Sequence, residues 1–291
     1  MGITISNVSK TYSNGVKALD DLSLHIGMGM FGLLGPNGAG KSSLMRTLAT
    51  LQLPDRGTVF FDSINVLQEP MRLRRTLGYL PQEFGVYPAI SAEDLLDYFA
   101  ILKGVDSRSD RKKRVQEVLE LTNLYEVRKK HVAGYSGGMK QRFGIAQLML
   151  NNPQLIIVDE PTAGLDPAER NRFLNVLREL ALTATIIFST HIVDDVKDLC
   201  KEMAIMNGGR ILQQTTPRNA TKELAGKIWA IHISRDELEA IESAWPVLSS
   251  TYVDDQKIHV RVHADSKPTE HFQPAEPELA DAYFIALKKD A

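Results

Sequence analysis

Short runs of apolar residues alternate along the chain with longer segments in which apolar positions recur every three or four residues. Three of these runs, at residues 30–34, 155–158 and 185–188, are almost entirely apolar, and each is followed at once by Gly, Asp or Ser. Continuous apolar runs are typical of strands buried on both faces, and strands that alternate with helices are typical of a parallel sheet. The pattern predicts an α/β fold built on a mostly parallel sheet.

The first half of the chain departs from this alternation in two places. Runs at residues 3–8, 22–26 and 58–62 lie between turn residues, which predicts an antiparallel β region beside the main sheet. At residues 91–125 the spacing is helical over two segments joined by a polar connector. We therefore expect an inserted helical subdomain at about residues 88–142.

The last quarter of the chain has a different character. Apolar runs at residues 203–206 and 210–212 flank an Asn-Gly-Gly sequence, which predicts a hairpin with a primed turn. Beyond Pro217, strand-like alternation and helical spacing follow each other over short stretches. We predict a first domain at residues 1–214 and a small accessory α+β unit at residues 215–291.

Three polar residues, His259, Arg261 and His263, alternate along the last predicted strand and share one of its faces. A zinc site takes at least three protein ligands of the right kind, and the sequence places no third one next to the two histidines. We expect this face to be solvated rather than metal-binding.

Composition narrows the classes of function. The 291 residues include 34 Lys and Arg against 36 Asp and Glu, a formal net charge of −2, so a binder that covers nucleic acid with its whole surface is disfavoured. The single cysteine, Cys200, excludes an intrachain disulfide and an all-cysteine metal site. No apolar run approaches the roughly 18 residues of a spanning helix, and the start of the chain does not resemble a secretion signal. We expect that the chain alone neither enters nor crosses a membrane.

A glycine-rich segment follows the apolar run at residues 30–34 and leads into helical spacing. It satisfies the phosphate-loop pattern G-x-x-x-x-G-K-[ST] in the strand-to-helix context that the pattern requires. Glycines let successive backbone N–H groups approach phosphate oxygens, and a helix N-terminus adds partial positive charge. The predicted phosphate-binding residues are Gly35, Pro36, Asn37, Gly38, Ala39, Gly40, Lys41, Ser42 and Ser43.

Individual roles follow from the chemistry of the side chains. We expect Lys41 to reach the β and γ phosphates, the Ser42 hydroxyl to coordinate Mg²⁺, and Ser43 to donate to the α phosphate. Asp159 and Glu160 end a buried run, and a strand that emerges at the carboxyl edge of the sheet brings its last residues beside the phosphate loop. Asp159 is therefore expected in the Mg²⁺ shell, and Glu160 is the candidate general base for an attacking water.

Five further motifs lie along the chain: Tyr12, Gln82, Tyr135-Ser136-Gly137-Gly138-Met139, Ala163-Gly164-Leu165-Asp166, and His191. Together with the phosphate loop and the two acids, they resemble in kind and order the motifs of the nucleotide-binding subunits of ABC transporters, in which the group at residues 135–139 takes the place of the signature. The signature has Tyr135 where leucine is usual and Met139 where glutamine is usual. The resemblance covers about residues 2–214 and implies the fold of a RecA-like P-loop NTPase.

The resemblance implies that ATP and Mg²⁺ are the cofactors and that the chain is an ATPase. Tyr12 would stack on adenine. Gln82 would complete the Mg²⁺ shell and sense the γ-phosphate, while His191 would contact the γ-phosphate and the attacking water. Glu160 and His191 are thus the expected catalytic pair.

The resemblance also implies a head-to-tail dimer with a second copy or a related cassette. Each ATP would lie between the phosphate loop of one chain and the Ser136, Gly137 and Gly138 of the other, with Asp166 among the ATP-binding residues. Part of this agrees with the residues themselves, because hydroxyl and N–H groups at a helix N-terminus can bind phosphate. Ser136 lies in the helical subdomain, apart from Lys41, so its ligand would come from elsewhere.

A separate membrane-spanning permease is the partner that the resemblance implies. The chain would dock on the cytoplasmic face of that permease through residues 83–88. The C-terminal segment resembles the tail of ATPases that serve drug, lipid or polysaccharide export, which favours export over import. The cargo would be selected by the permease.

Two other functional classes stay open. A soluble ABC-type ATPase that acts on ribosomes or DNA usually carries two cassettes or a long coiled-coil insertion, and this chain shows neither. A regulator that dimerises around ATP without hydrolysing it has no need of Glu160 and His191. Nucleic acid is accordingly not an expected partner.

Overall fold

The computed structural model describes residues 2–82, 85, 89–162, 165–253 and 257–290. The strands within them are β1 (Gly2–Thr11), β2 (Lys17–Gly27), β3 (Gly29–Leu34), β4 (Arg56–Phe61), β5 (Ile64–Asn65), β6 (Leu77–Leu80), β7 (Leu155–Asp159), β8 (Thr185–Thr190), β9 (Glu202–Asn207), β10 (Arg210–Thr215), β11 (Ile228–Ser234), β12 (Val247–Tyr252), β13 (Lys257–His263) and β14 (Gln273–Pro274). The helices are α1 (Lys41–Leu48), α2 (Pro70–Arg74), α3 (Ala92–Leu102), α4 (Arg108–Leu121), α5 (Gly137–Met149), α6 (Pro167–Leu180), α7 (Val193–Leu199), α8 (Pro217–Lys222), α9 (Leu238–Ala244) and α10 (Leu279–Asp290). Short 3₁₀ turns lie at Tyr125–Val127, Val132–Gly134 and Arg235–Glu237.

The central sheet has the strand order β10-β9-β3-β8-β7-β6. Its pairs are parallel except for β9 with β10, so the predicted mostly parallel sheet is confirmed for the described strands. Every residue of β3, β7 and β8 is buried, as their continuous apolar sequences predict. Leu34 lies beside Thr190, and Asp159 lies beside Ser189. The segments that follow these three strands therefore meet at one edge of the sheet.

The predicted hairpin near the end of the first domain is present as β9 and β10. Gly208 and Gly209 both have positive φ, as a primed turn requires. Gly209 packs against the backbone of Ala18, and a Cβ there would lie 2.9 Å from the Ala18 carbonyl oxygen. This close approach brings the hairpin tip against β2, beside the phosphate loop.

A second, antiparallel sheet with the order β2-β1-β4-β5 covers one side of the molecule, as predicted. Alternate residues of β1 and β2, such as Ile3, Ile5 and Leu24, are buried. They share a core cluster with Leu44 and Leu48 of α1 and with one face of the central sheet. The phosphate-loop helix is thus held between the two sheets.

Helices α3 and α4 are the two helical segments that the spacing at residues 91–125 predicts, and α5 packs against both. Ser91 and Ser107 cap α3 and α4, each accepting a hydrogen bond from the backbone N–H three residues on. The apolar faces of these helices, including Leu95 and Val118, join the core on the other face of the central sheet.

The C-terminal part has a sheet of its own, with the order β12-β13-β11-β14. Ile258, Val260 and Val262 of β13 form a small core with Phe272. Helix α10 is not part of this small core and packs against α7, α8, β9 and β10. The part of the chain after residue 215 therefore shares apolar packing with the first domain.

The prediction of a solvated face on the last strand was wrong for Arg261. Its guanidinium donates to both carboxylate oxygens of Asp281 on α10, at 3.0 and 2.6 Å, and to the Glu276 carbonyl at 2.7 Å. The side chains of Arg261 and Asp281 are 12% and 3% exposed. Arg261 thus supplies the partner that a carboxylate as buried as Asp281 requires.

Candidate functional site

The backbone of the phosphate loop runs from β3 into α1 and depends on two glycines. Gly40, the N-cap of α1, has φ of 101°, and no side chain caps the helix there. A Cβ at Gly40 would lie 2.3 Å from the Ala18 carbonyl oxygen, and one at Gly35 would lie 2.4 Å from the Met206 carbonyl oxygen. The loop passes too close to β2 and β9 for any larger residue at these two positions. The N–H groups of the first turn of α1 consequently have no side-chain acceptor.

A cavity of about 430 Å³ opens in front of the loop. It brings together most of the predicted nucleotide-binding residues from four separate parts of the chain. Its lining consists of Tyr12, Val16, Lys17, Ala18, Asn37, Gly38, Ala39, Gly40, Lys41, Ser42, Ser43, Gln82, Glu160 and Gly208. The N-terminus of α1 and the lysine make this cavity suited to an anion.

Lys41 is nearly buried, with 5% of its side chain exposed. Its ammonium donates to the carbonyl oxygens of Gly35 at 2.7 Å and Pro36 at 3.1 Å. Glu160 Oε1 lies 3.4 Å from Lys41 Nζ. The Lys41 ammonium, which is predicted to bind phosphate, therefore has hydrogen-bond partners in the loop and an opposite charge in Glu160, the predicted base.

Glu160 lies directly after β7 in the left-handed region, with φ of 47°. Its Oε2 is 3.3 Å from His191 Nδ1 and accepts a hydrogen bond from Gln82 Nε2 at 3.4 Å. His191 is 46% exposed, whereas the Glu160 side chain is 10% exposed. Lys41, Gln82 and His191 thus converge on one carboxylate.

Asp159 lies deeper than Glu160 and is 3% exposed. It accepts a hydrogen bond from the Ser189 hydroxyl at 2.7 Å. Asp159, Gly35, Pro36 and His191 do not line the cavity among the described residues, but each contacts or adjoins a residue that does.

Tyr12 reaches the cavity from the turn after β1. Its hydroxyl lies 2.9 Å from Ser43 Oγ and donates to Gln52 Oε1 at 3.1 Å. The Tyr12 N–H donates to the Val16 carbonyl at 2.9 Å, which closes a tight turn. The ring is held beside the first turn of α1.

The signature residues lie elsewhere. Ser136 caps α5, its hydroxyl accepting from the Met139 N–H at 3.3 Å, and Ser136 and Gly137 are exposed. A Cβ at Gly138 would lie 3.2 Å from Cγ of Glu169, in the first turn of α6, and Asp166 caps that helix. The structure thus groups Asp166 with the signature residues, and none of them lines the cavity.

The tyrosine of the signature has a structural explanation. Tyr135 is 4% exposed and its hydroxyl donates to the Val127 carbonyl at 3.0 Å. Burial raises the pKa of its phenol above the ordinary value. A leucine, which is smaller and has no hydroxyl, would leave that carbonyl without this donor.

Two sequence predictions lie partly or wholly on residues that the structure does not describe. The proposed docking segment at residues 83–88 is described only at Gly85. Of the motif that ends in Asp166, Ala163 and Gly164 lie outside the described residues.

Sequence reasoning missed a buried carboxylate close to the site. Asp195, 1% exposed, accepts from Thr162 Oγ1 at 3.0 Å and from Arg170 Nε at 2.9 Å. It therefore ties the segment after Glu160 to α6 and to α7, the helix that follows His191. Asp195 lies four residues before the apolar Leu199 and so shares the inner face of α7 with it, which is the signal that could have identified it.

No helix among the residues that the structure describes has the length and apolar character to cross a membrane.

The protein-family model described as ABC transporter matches residues 19–163. The uncharacterized ABC transporter ATP-binding protein YxlF of Bacillus subtilis is 38% identical over 210 residues, which are 72% of this chain and 69% of YxlF. The daunorubicin/doxorubicin resistance ATP-binding protein DrrA of Streptomyces peucetius is 32% identical over 273 residues, which are 92% of this chain and 78% of DrrA.

Among solved structures, the dimeric post-hydrolysis state of the ATP-binding cassette MJ0796, bound to ADP and Pi, is similar to this chain. The TM-score is 0.68 at 28% sequence identity, and the match covers 74% of this chain and 98% of the cassette. The parallel sheet, the antiparallel sheet and the helices described above are those of a P-loop NTPase of this kind.

Proposed function

Because the chain belongs to the ABC transporter family, as one of its ATP-binding and ATP-hydrolysing subunits, we propose that Mg²⁺-ATP is bound and hydrolysed in the cavity at the phosphate loop. The observation that carries this proposal is the lining of that cavity. Tyr12, the loop from Asn37 to Ser43, Gln82 and Glu160 come from distant parts of the chain and face one space of about 430 Å³.

The triphosphate lies along the N-terminus of α1 in this proposal. Backbone N–H groups at the start of α1 bind the phosphate oxygens, because no side chain that the structure describes accepts a hydrogen bond from them. Lys41 moves from the Gly35 and Pro36 carbonyls to the β and γ phosphates, Ser43 donates to the α phosphate, and the Tyr12 ring stacks on adenine. The charge of the nucleotide thus replaces the carboxylate of Glu160 as the partner of Lys41.

The residues around the γ-phosphate end suit Mg²⁺. Ser42, Gln82 and Asp159 offer a hydroxyl, an amide oxygen and a carboxylate, which are hard oxygen donors of the type this ion takes alongside phosphates and water. When bound, Mg²⁺ would neutralise charge that develops on the transferred phosphoryl group.

Glu160 is the proposed base in hydrolysis. Once Lys41 has turned to the phosphates, Glu160 keeps its contacts with Gln82 and His191, which orient the carboxylate toward the attacking water. The carboxylate accepts a proton from that water, and His191 contacts the γ-phosphate. General-base assistance of this kind contributes about 10²- to 10⁴-fold in rate.

A second chain completes the site in this proposal. Ser136, Gly137, Gly138 and Asp166 lie together on the surface and away from the cavity of their own chain. The helix N-terminus at α5 would contact the γ-phosphate held by the partner chain. ATP thereby closes the dimer and hydrolysis releases it.

The proposal extends to a membrane partner and to the arrangement of the chain. Residues 1–214 act as the ATP-binding domain, with a helical subdomain at about residues 88–142, and residues 215–291 as an accessory unit. The chain works peripherally on the cytoplasmic face of the cell membrane, docked on a permease through residues 83–88. Export is favoured because relatives such as DrrA are resistance proteins.

The experiment for the catalytic part measures ATP turnover by the purified chain with Mg²⁺, after chelation by EDTA, and in Glu160→Gln. Turnover should vanish on chelation and fall about 10²- to 10⁴-fold in the variant. Glu239→Gln, at an exposed position of α9, is the matched control and should turn over ATP normally. Equal rates in Glu160→Gln and the unmodified chain would exclude Glu160 as the base.

The membrane part is tested by fractionating cells of the natural host that express a tagged chain. The chain should sediment with membranes and be released by alkaline carbonate, as a peripheral protein is. Recovery with ribosomes or with DNA, and loss of that association on nuclease treatment, would instead support the soluble class of ABC ATPase.

A further inference from the structure

Gln52 lies beside the cavity, in the loop between α1 and β4, and belongs to none of the motifs above. Its amide nitrogen donates to the Ser43 carbonyl at 2.7 Å and to Thr47 Oγ1 at 3.0 Å. Its amide oxygen accepts from the Tyr12 hydroxyl at 3.1 Å. One half-buried side chain therefore joins the adenine-facing tyrosine to the phosphate-loop helix.

The donors and acceptors of this cluster fix its direction. The Ser43 carbonyl can only accept, so the amide nitrogen of Gln52 must face it and the amide oxygen must face Tyr12. Tyr12 has one proton and gives it to Gln52. The 2.9 Å contact between Tyr12 Oη and Ser43 Oγ then requires that Ser43 donates.

Nucleotide binding changes one bond of this cluster. The single proton of the Ser43 hydroxyl, once donated to the α phosphate, is no longer available to Tyr12. The bond from Tyr12 to Gln52 needs no such change. Gln52 is thus the partner that persists when ATP is bound.

The same loop also holds the backbone that precedes the tyrosine. Asp55 accepts from the Thr11 N–H at 2.6 Å and pairs with Lys10 at 3.0 Å. The Thr11 N–H and the Lys10 ammonium hold the pKa of Asp55 below its ordinary value. Gln52 and Asp55 together fix both the backbone before Tyr12 and its hydroxyl.

We propose that Gln52 is a positioning residue for the base of the nucleotide, which holds the Tyr12 ring in the plane on which adenine stacks. This inference rests on the proposed function, since it takes Tyr12 as the residue that contacts adenine. Gln52 itself touches neither the base nor the phosphates. It acts by limiting the rotamers of Tyr12, so that less conformational freedom is lost when the base binds.

The test compares two ligands that share phosphates but differ in the base. Affinities for ATP and for inorganic tripolyphosphate are measured by calorimetry for the unmodified chain and for Gln52→Met, which keeps the length of the side chain without its hydrogen bonds. The affinity for ATP should fall about fivefold, the effect of one net hydrogen bond, while that for tripolyphosphate stays the same. Leu53→Ala, at a neighbouring side chain that is 66% exposed, should change neither.

A double-mutant cycle with Tyr12→Phe isolates the bond itself. The double variant should lose no more affinity for ATP than either single variant, because both remove the same interaction. Equal weakening for ATP and tripolyphosphate would overturn the inference, since Gln52 would then support only the phosphate loop. Unchanged ATP affinity in Gln52→Met would overturn it as well. Failure of the unmodified chain to bind ATP would contradict the proposed function itself.

Discussion

Helices α1 and α5 begin in similar sequences, with glycine and serine around the first turn, yet their N-termini differ in one respect. Gly40 caps α1 and offers no side chain, whereas Ser136 caps α5 with its own hydroxyl. A helix N-terminus leaves N–H groups without partners inside the helix, and they are satisfied by a cap, by water or by a ligand. The start of α1 therefore leaves its N–H groups to water or a ligand, whereas the Ser136 hydroxyl satisfies one N–H group at the start of α5.

The surroundings of the two helix starts also differ, in charge and in exposure. At α1, Lys41 and Glu160 face each other at 3.4 Å within a cavity, so one chain supplies both charges. At α5, Ser136 and Gly137 are exposed, and a Cβ on Gly137 would meet nothing within 4 Å. The contrast distinguishes a pocket at α1, which holds charges of both signs from its own chain, from an open contact surface at α5.

The largest effect is expected from Lys41→Ala, which removes the cation of the α1 pocket. Affinity for ATP should fall about 100-fold or more, because hydrogen bonds between charged partners are the strong ones. Equilibrium binding of ATP measures the effect. Lys17→Ala, at a lysine that also lines the cavity but is half exposed and paired with Asp20, should lose far less. Similar losses in the two variants would contradict a specific role for Lys41.

The same substitution, glycine to alanine, can be compared at the two helix N-termini, at Gly40 of α1 and at Gly137 of α5. Gly40→Ala should destabilise the fold by about 1 to 3 kcal/mol and weaken ATP binding, because φ is 101° and the Ala18 carbonyl lies 2.3 Å from the new Cβ. Gly137→Ala should leave stability and ATP binding by one chain intact, yet weaken ATP-driven association. Thermal unfolding, ATP titration and sedimentation measure the three properties. Normal association of Gly137→Ala would show that α5 does not approach a partner closely.

A smaller effect on function, with a similar loss of stability, is expected from Asp195→Asn, which tests whether the buried Asp195 supports the α1 site. The unfolding free energy should fall by about 1 to 3 kcal/mol, since Arg170 loses a buried charged partner. Turnover should fall with it, because Thr162 follows Glu160 closely in the chain. Urea unfolding and ATP turnover are the measurements. Exposed Asp194→Asn is the control, and an equal change in it would contradict the role of burial.

Among the variants expected to lose stability, the smallest loss is that of Ser136→Ala, which removes the cap of α5. Loss of an N-cap side chain costs about 1 kcal/mol. Urea unfolding should detect that change, while ATP binding by the single chain stays normal. An ATP affinity that falls in Ser136→Ala without a partner chain would mean that α5 and α1 share one pocket.

Much of this arrangement could be predicted from the sequence, because it depends on local patterns. The continuous apolar runs predict the buried strands β3, β7 and β8. The phosphate loop is predicted by the spacing of Gly35, Gly40, Lys41 and Ser42, which few ordinary turns share. The antiparallel sheet, the helices after Ser91 and the hairpin turn at Gly208 also follow from periodicity and turn residues.

The features that could not be predicted depend on contacts between distant residues. Arg261 was expected in solvent because its strand alternates, but α10 returns and brings Asp281 to it. Asp195 and Gln52 carry no motif, and their roles follow from the tertiary positions of Thr162 and Tyr12. The contacts of single polar residues of this kind are known only once the tertiary structure shows which residues lie next to them.

We propose that two copies of the chain, or this chain and a related one, share the ATP sites. The most direct measurement is Mg²⁺-dependent ATP hydrolysis per chain as a function of protein concentration, with Glu160→Gln alongside. We predict a rate per chain that rises with concentration, is lost in Glu160→Gln, and is accompanied in that variant by an ATP-bound dimer. A rate per chain that is substantial and independent of concentration over the range in which the protein is monomeric would contradict shared sites.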